Sequence, residues 1–166
     1  MRNMLVKYFQ MALKKMRYDI MSRCCGKCAP EPPMDPVFVP VPGNSSLPFS
    51  AAVRVGDMLY LSGQIGNDSA LRLVPGGIGP ETRQTMENIR AVLEANGSSM
   101  NRVVKCLVML ADMAEWGAMN RVYVTFFPEH LPARSAMGAN GLALGARVEI
   151  ECIAVVAPAR GRPAGG

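Results

Sequence analysis

Apolar positions recur with a period of two along some stretches and at helical spacing along others, and each change of period marks an element. Residues 51–55 and 58–62 are short apolar-rich runs separated by Gly56-Asp57, which predicts a β-hairpin. Gly63-Gln64-Ile65-Gly66 extends or ends the second run, and residues 71–78 offer a further short strand around Pro75-Gly76-Gly77. Over residues 82–95, Met86, Ile89, Val92 and Leu93 fall on one helical face, and Asn96-Gly97 supplies the stop. Residues 103–110 are dense in Val and Leu, as in a strand covered by helices. Asp112 can cap a second helix running to about residue 127, where Pro128 ends it. Strands over 134–137 and 148–156 complete the order β-β-α-β-α-β-β. The expected fold is α+β, a mixed β-sheet with two helices packed on one face.

Alternation along the last strand points Val148, Ile150 and Cys152 one way and Glu149, Glu151 and Ile153 the other. Two helices cover one face of such a sheet. The opposite face, carrying two acids, then reads as polar or interfacial, and an oligomer with clefts between subunits is the expected cover.

The N-terminal stretch has a different character, with six of the 13 Met and three of the five Cys in its first 34 residues. Met1, Leu5, Tyr8, Phe9, Ala12, Leu13, Met16 and Ile20 recur at helical spacing, while Lys7, Lys14, Lys15 and Arg17 fall largely elsewhere. A basic amphipathic helix of this kind suits a membrane surface or organelle targeting. The alternative, an extension without function from a start codon placed too far upstream, stays open. Residues 29–48 carry seven Pro and so exclude a regular helix or a central strand. The expected division is a basic extension over 1–34, a Pro-rich linker over 35–46, a folded domain over 47–158 and a flexible tail over 159–166.

Composition removes several function classes. Hydrophobic residues make up 49% and charged ones 19%, a globular balance, and no run approaches the roughly 18 apolar residues of a membrane span. The net charge of +5 resides mostly in residues 1–35, with seven Lys/Arg against three Asp/Glu; the remainder has eleven against ten. The folded body is nearly neutral, which argues against RNA and leaves no DNA partner expected. Cys24, Cys25 and Cys28 contain a Cys-x-x-Cys spacing, but the lone His130 is distant and a structural zinc site needs four ligands, so no metal is expected. Cys106 and Cys152 read as small core residues. With no disulfide framework, a reducing, cytoplasmic setting is expected.

Nucleophilic triads would have to use His130, which sits in the proline-bounded loop Pro128-Glu129-His130-Leu131-Pro132 and reads as solvated. The Gly-rich stretches match no phosphate loop or dinucleotide fingerprint. Glu149 and Glu151 share a strand face about 7 Å apart, which suits acid–base work, although the pair taken in isolation reads first as salt-bridged surface acids. Arg134, between a Pro-Ala entry and a strand, is placed to grip a carboxylate with a bidentate fork, or to form a structural ion pair.

Ser62-Gly63-Gln64-Ile65-Gly66, Thr82-Arg83-Gln84-Thr85-Met86-Glu87-Asn88, Val103-Val104-Lys105, Asn120-Arg121-Val122-Tyr123, Pro132-Ala133-Arg134-Ser135 and Val148-Glu149-Ile150-Glu151 occur in the order and spacing of one family. Over residues 48–156 the chain resembles the RidA (YjgF) family. The resemblance implies a chorismate-mutase-like subunit, a homotrimer with sites at the subunit interfaces, and cofactor-free hydrolysis of reactive enamines and imines to a 2-oxo acid and ammonia. It implies that Arg134 holds the carboxylate of an imino acid substrate and that Glu149 orients or activates water. It also implies that Phe49, Ser62 and Asn120 line the site and that the backbone near Ala136 helps hold substrate or water. The chain departs from the family pattern at Phe49, where a Tyr is common, at Ala51, often Gln, and at Leu144, often Lys. These changes put substrate preference in question and leave Arg134 and Glu149 in place.

Overall fold

In the computed structural model, residues 34–43 and 46–156 are described, and every element below belongs to the unit Asp35–Gly166. The N-terminal helix, the Cys24-Cys25 cluster with Cys28 and the C-terminal tail read from the sequence lie outside the described residues. The strands are β1 (Val37–Val39), β2 (Ala52–Val55), β3 (Met58–Leu61), β4 (Gln64–Ile65), β5 (Val103–Leu110), β6 (Ala133–Gly138) and β7 (Val148–Val155). The helices are α1 (Ile78–Ala95) and α2 (Trp116–Tyr123), the latter flanked by single 3₁₀ turns. The strands form one mixed sheet in the order β1-β2-β3-β7-β5-β6, with β4 beyond β3 on the same flank of β7. Only the β5–β6 pair is parallel among the described strands.

The predicted hairpin is present as β2 and β3, turning through Gly56-Asp57 with Gly56 at φ 58°. β1 lies inside the stretch read as a linker. Pro36 and Pro40 flank it, and a strand so bounded can pair on one side only, which is what the outer flank of β2 offers. The short strand expected within residues 71–78 reduces to an isolated bridge between Asn67 and Leu73, because Leu71 turns left-handed at φ 60° and Pro75-Gly76-Gly77 follows. The second helix is shorter than expected. Asp112 caps a 3₁₀ turn through the Ala114 amide, and the regular helix occupies only Trp116–Tyr123.

The first helix begins a turn earlier than its apolar period suggests, at Ile78, with Pro80 tolerated in the first turn where no amide hydrogen is needed. At its end the Ser98 amide donates to the Leu93 carbonyl and the Gly97 amide to Glu94, with Gly97 at φ 74°. That paired closure requires a left-handed residue after the cap, which glycine supplies without steric cost. Within the helix, the Thr82 and Thr85 hydroxyls donate to carbonyls one turn back, so both are buried without an unsatisfied polar atom.

The two helices pack on one face of the sheet, α1 against β4, β7 and α2. Met86, Ile89 and Leu93 from α1 and Met119 from α2 meet Leu59, Val108, Leu110, Val148 and Ile150, all fully buried. Each such side chain contributes about 1.5–3 kcal/mol relative to exposure. Cys106 and Cys152 are cross-strand partners in this core, with thiols 2.7 Å apart and both free. The other face bears Tyr60, Lys105, Leu107, Glu151 and Ile153 around a shallow cavity. No described helix is long and apolar enough to cross a membrane.

Candidate functional site

The candidate residues fall into two groups, separated by the pleat of the sheet. Glu149 is next to Val148 and Ile150, both core residues, so its side chain leaves β7 on the face opposite the helices. Arg134 pairs with Cys106, which pairs with Cys152, and both cysteines point into the core. Arg134 therefore leaves β6 on the helix side. β5 lies between β6, which carries Arg134, and the carboxylate strand β7. One chain thus carries Arg134 and Glu149 on opposite sides of its sheet.

Glu149 forms the floor of a pocket of about 520 Å³ that also includes Phe49, Ser62, Gly63, Leu71 and Leu144. The register slips by one residue between Tyr60↔Ile153 and Gln64↔Ile150, so the ladder breaks at Ser62-Gly63. The carboxylate occupies that break: a Cβ on Gly63 would lie 2.0 Å from Glu149 Oε1. Ser62 Oγ donates to the Ser50 carbonyl at 2.7 Å, which ties the break to the chain entering β2 and leaves the hydroxyl's lone pairs to accept. Burial among apolar walls raises the Glu149 pKa above the ordinary carboxylate range, and the neighbouring Glu151 charge adds to the rise. Neither acid has an ion-pair partner among the described residues.

A buried carboxylate on α1 positions the strand that carries Glu149. Glu81, 4% exposed, accepts from the Arg147 amide at 2.6 Å and from the Val148 amide at 3.4 Å. Gly66 permits the approach, since a Cβ there would sit 2.4 Å from the Glu81 carbonyl oxygen. Arg147 itself pairs with Glu115 at the surface.

On the helix side, Arg134 donates from Nη1 to Asn120 Oδ1 at 2.7 Å. Its guanidinium lies 4.7 Å from the Tyr123 ring centroid and 5.8 Å from that of Trp116. Such cation–π contacts contribute about 0.5–2 kcal/mol each and fix the plane of the fork. No described carboxylate pairs with Arg134, so the structural ion pair is absent among the described residues. Ala136 is two residues on along the exposed edge strand β6, on the same side as Arg134. Trp116, Asn120 and Tyr123 share one helical face, a spacing that could have flagged the two rings; the reading of the sequence singled out only Asn120.

The Tyr123 hydroxyl is buried beside the Cys106 thiol, and burial pushes its pKa up, so it stays neutral. His130 is exposed and contacts the Asn101 carbonyl through Nε2 at 2.8 Å. Among the described residues no three of His, Cys, Asp and Glu cluster where they could hold a metal ion.

This arrangement can do two things. The Arg134 fork can bind a carboxylate in one plane, and Glu149, in a partly desolvated setting, can take and return a proton. Residues 43–156 match the family model described as Endoribonuclease L-PSP. A mouse protein named 2-iminobutanoate/2-iminopropanoate deaminase is 47% identical over 112 residues, covering 67% of this chain and 83% of its own. The human protein of the same name is 40% identical over 112 residues, covering 67% and 82%. The crystal structure of RidA from an Antarctic Psychrobacter superposes with a TM-score of 0.64 at 35% identity, covering 76% of this chain and all of that one. The motifs, the sheet order that displays them and these likenesses agree: the chain belongs to the Endoribonuclease L-PSP family, also known as RidA or YjgF.

Proposed function

We propose that the chain hydrolyses 2-imino acids and their enamine tautomers to 2-oxo acids and ammonia, acting as a homotrimer whose sites form between subunits. The observation that carries the reading is Arg134, held by Asn120 over two aromatic rings with no carboxylate paired to it among the described residues. The deaminase names of the mouse and human relatives point the same way. An assembly of copies is supported by the separation of Arg134 from Glu149, since a site using both needs Arg134 from one subunit and Glu149 from another; that it is a trimer rests on the family resemblance.

In the reaction, Arg134 clamps the substrate carboxylate and presents the adjacent iminium carbon in one orientation. Glu149 accepts a proton from water as the oxygen attacks that carbon, giving a carbinolamine. The proton then passes to the departing nitrogen, the C–N bond breaks, and the carbinol hydroxyl loses its proton as the carbonyl forms. The net change is one water consumed, with one 2-oxo acid and one ammonium ion released. Phe49, Ser62, Asn120 and Ala136 line the substrate's path. The free thiols of Cys106 and Cys152 fit a cytoplasmic setting, and the nearly neutral body makes a small acid a better partner than nucleic acid.

The test couples an amino-acid oxidase, which generates 2-imino acids, to semicarbazide trapping. Wild-type protein is expected to remove imine before it is trapped, and Arg134→Ala to behave as the no-protein control. Trapping unchanged by wild type across small and branched imino acids overturns the reading in favour of a non-catalytic carboxylate-binding module.

A further inference from the structure

Two leucines, Leu71 at φ 60° and Leu144 at φ 57°, are the positive-φ residues other than glycine among the described residues, and both line the Glu149 pocket. Bulky side chains rarely adopt this backbone, and such outliers persist only where the surroundings over-determine them. For Leu71 the surroundings are explicit. Asp68 Oδ1 accepts from the Ala70 and Arg72 amides, Arg72 forks onto Oδ2 at 3.0 and 2.8 Å, and the Leu71 amide donates to the Asp68 carbonyl. Leu144 is held in the tight turn in which the Gly145 and Ala146 amides donate to the Leu142 and Ala143 carbonyls.

These side chains gain little within the chain, being 49% and 65% exposed. Leaving leucine in a strained conformation with its side chain outside the core makes physical sense if a ligand covers it. We propose that Leu71 and Leu144 form an apolar side-chain subsite that selects 2-imino acids with bulky aliphatic side chains over those derived from alanine. This inference rests on the deaminase reading above. The lining of the Glu149 pocket is mostly apolar, with Val41, Phe49 and Val92 beside the two leucines in its wall, and its polar members are Ser62, Gln64, Asn67 and Glu149. A cavity of about 520 Å³ falls within the range of about 300–1,000 Å³ typical of pockets for ligands much larger than a three-carbon acid.

The experiment measures kcat/KM for the leucine-derived and alanine-derived imines in the trapping assay, for wild type, Leu71→Asn/Leu144→Asn and Leu71→Met/Leu144→Met. Asn tolerates the left-handed backbone while removing the apolar branch, and Met restores apolar bulk. Wild type is expected to favour the leucine-derived imine by on the order of tenfold or more, the Asn pair to lose that preference and the Met pair to keep most of it. Calorimetric binding of the corresponding 2-oxo acids is expected to show the same ordering. Because binding needs no turnover, it separates failure of this proposal from failure of the deaminase reading. A wild-type preference for the smaller acid, an Asn pair with an unchanged ratio, or an Asn pair whose subunit assembly changes in sedimentation overturns the proposal.

Discussion

Gly63 and Glu149 are in contact across the break in the β-ladder so closely that the glycine's missing side chain is part of the carboxylate's site. An added Cβ would lie 2.0 Å from Oε1 and 2.9 Å from Cδ. Gly63 is not among the residues with positive φ, so alanine can adopt its backbone. Gly63→Ala is therefore expected to leave thermal stability unchanged or raise it slightly, by about 0.4–1 kcal/mol from the stiffer unfolded chain. The displaced carboxylate should lower kcat/KM by about a hundredfold. A melting curve and the imine-trapping assay on the same sample check both halves.

The acid limb of the pH–rate profile should report Glu149, whose pKa is raised first by burial and then by Glu151. Glu151→Gln removes the second cause, so the limb should move toward lower pH, and kcat/KM measured from pH 4 upward checks the direction (about the range of carboxylate titration).

The same shift has a consequence for stability. A carboxyl whose folded pKa exceeds its unfolded value binds more protons when folded, so its contribution is present below the unfolded pKa and is lost as pH rises through the folded one. Glu149→Gln should consequently melt higher than wild type at neutral pH and match it in acid. Melting temperatures across the pH range test the sign.

Glu81 carries a structural load instead. Removing its carboxylate strands the Arg147 and Val148 amides at the start of β7. Glu81→Ala should cost about 2–3 kcal/mol of stability, read as a lower urea midpoint with unchanged slope.

If Arg134 and Glu149 meet only across a subunit boundary, two inactive variants should rescue each other. Unfolding and refolding an equal mixture of Arg134→Ala and Glu149→Gln chains should restore activity to about one quarter of wild type, since about one boundary in four then joins an intact Arg134 to an intact Glu149. Mixed activity no greater than that of either variant alone would overturn a shared site between subunits.

Much of this fold is legible from local pattern. Gly56-Asp57 marks the hairpin, Asn96-Gly97 the end of α1, and the strict alternation after Val148 the two faces of β7. What the pattern leaves out has a common cause: it is decided by partners distant in sequence. β1 is three residues long between prolines and becomes a strand only because β2 has an open flank. The insertion of β5 between Arg134 and Glu149 follows from strand order, which no run of residues encodes locally. The left-handed turns at Leu71 and Leu144 are invisible for the opposite reason, since leucine is among the residues least expected there. Of the candidate site, Arg134 and Glu149 stand out in the sequence by residue type and Asn120 only through the family resemblance, while the aromatic bed of Trp116 and Tyr123 and the close approach of Gly63 to Glu149 required three dimensions.

The intervening strand β5 also bears on how such a protein would behave in a cell. A chain that displays Arg134 and Glu149 back to back cannot bring them together by any internal motion short of unfolding. On the proposed reading, specific activity becomes a gauge of crowding among identical copies: it should collapse on dilution below the association threshold and climb more steeply than linearly with expression, so that the amount of protein, as well as its sequence, sets whether it works at all.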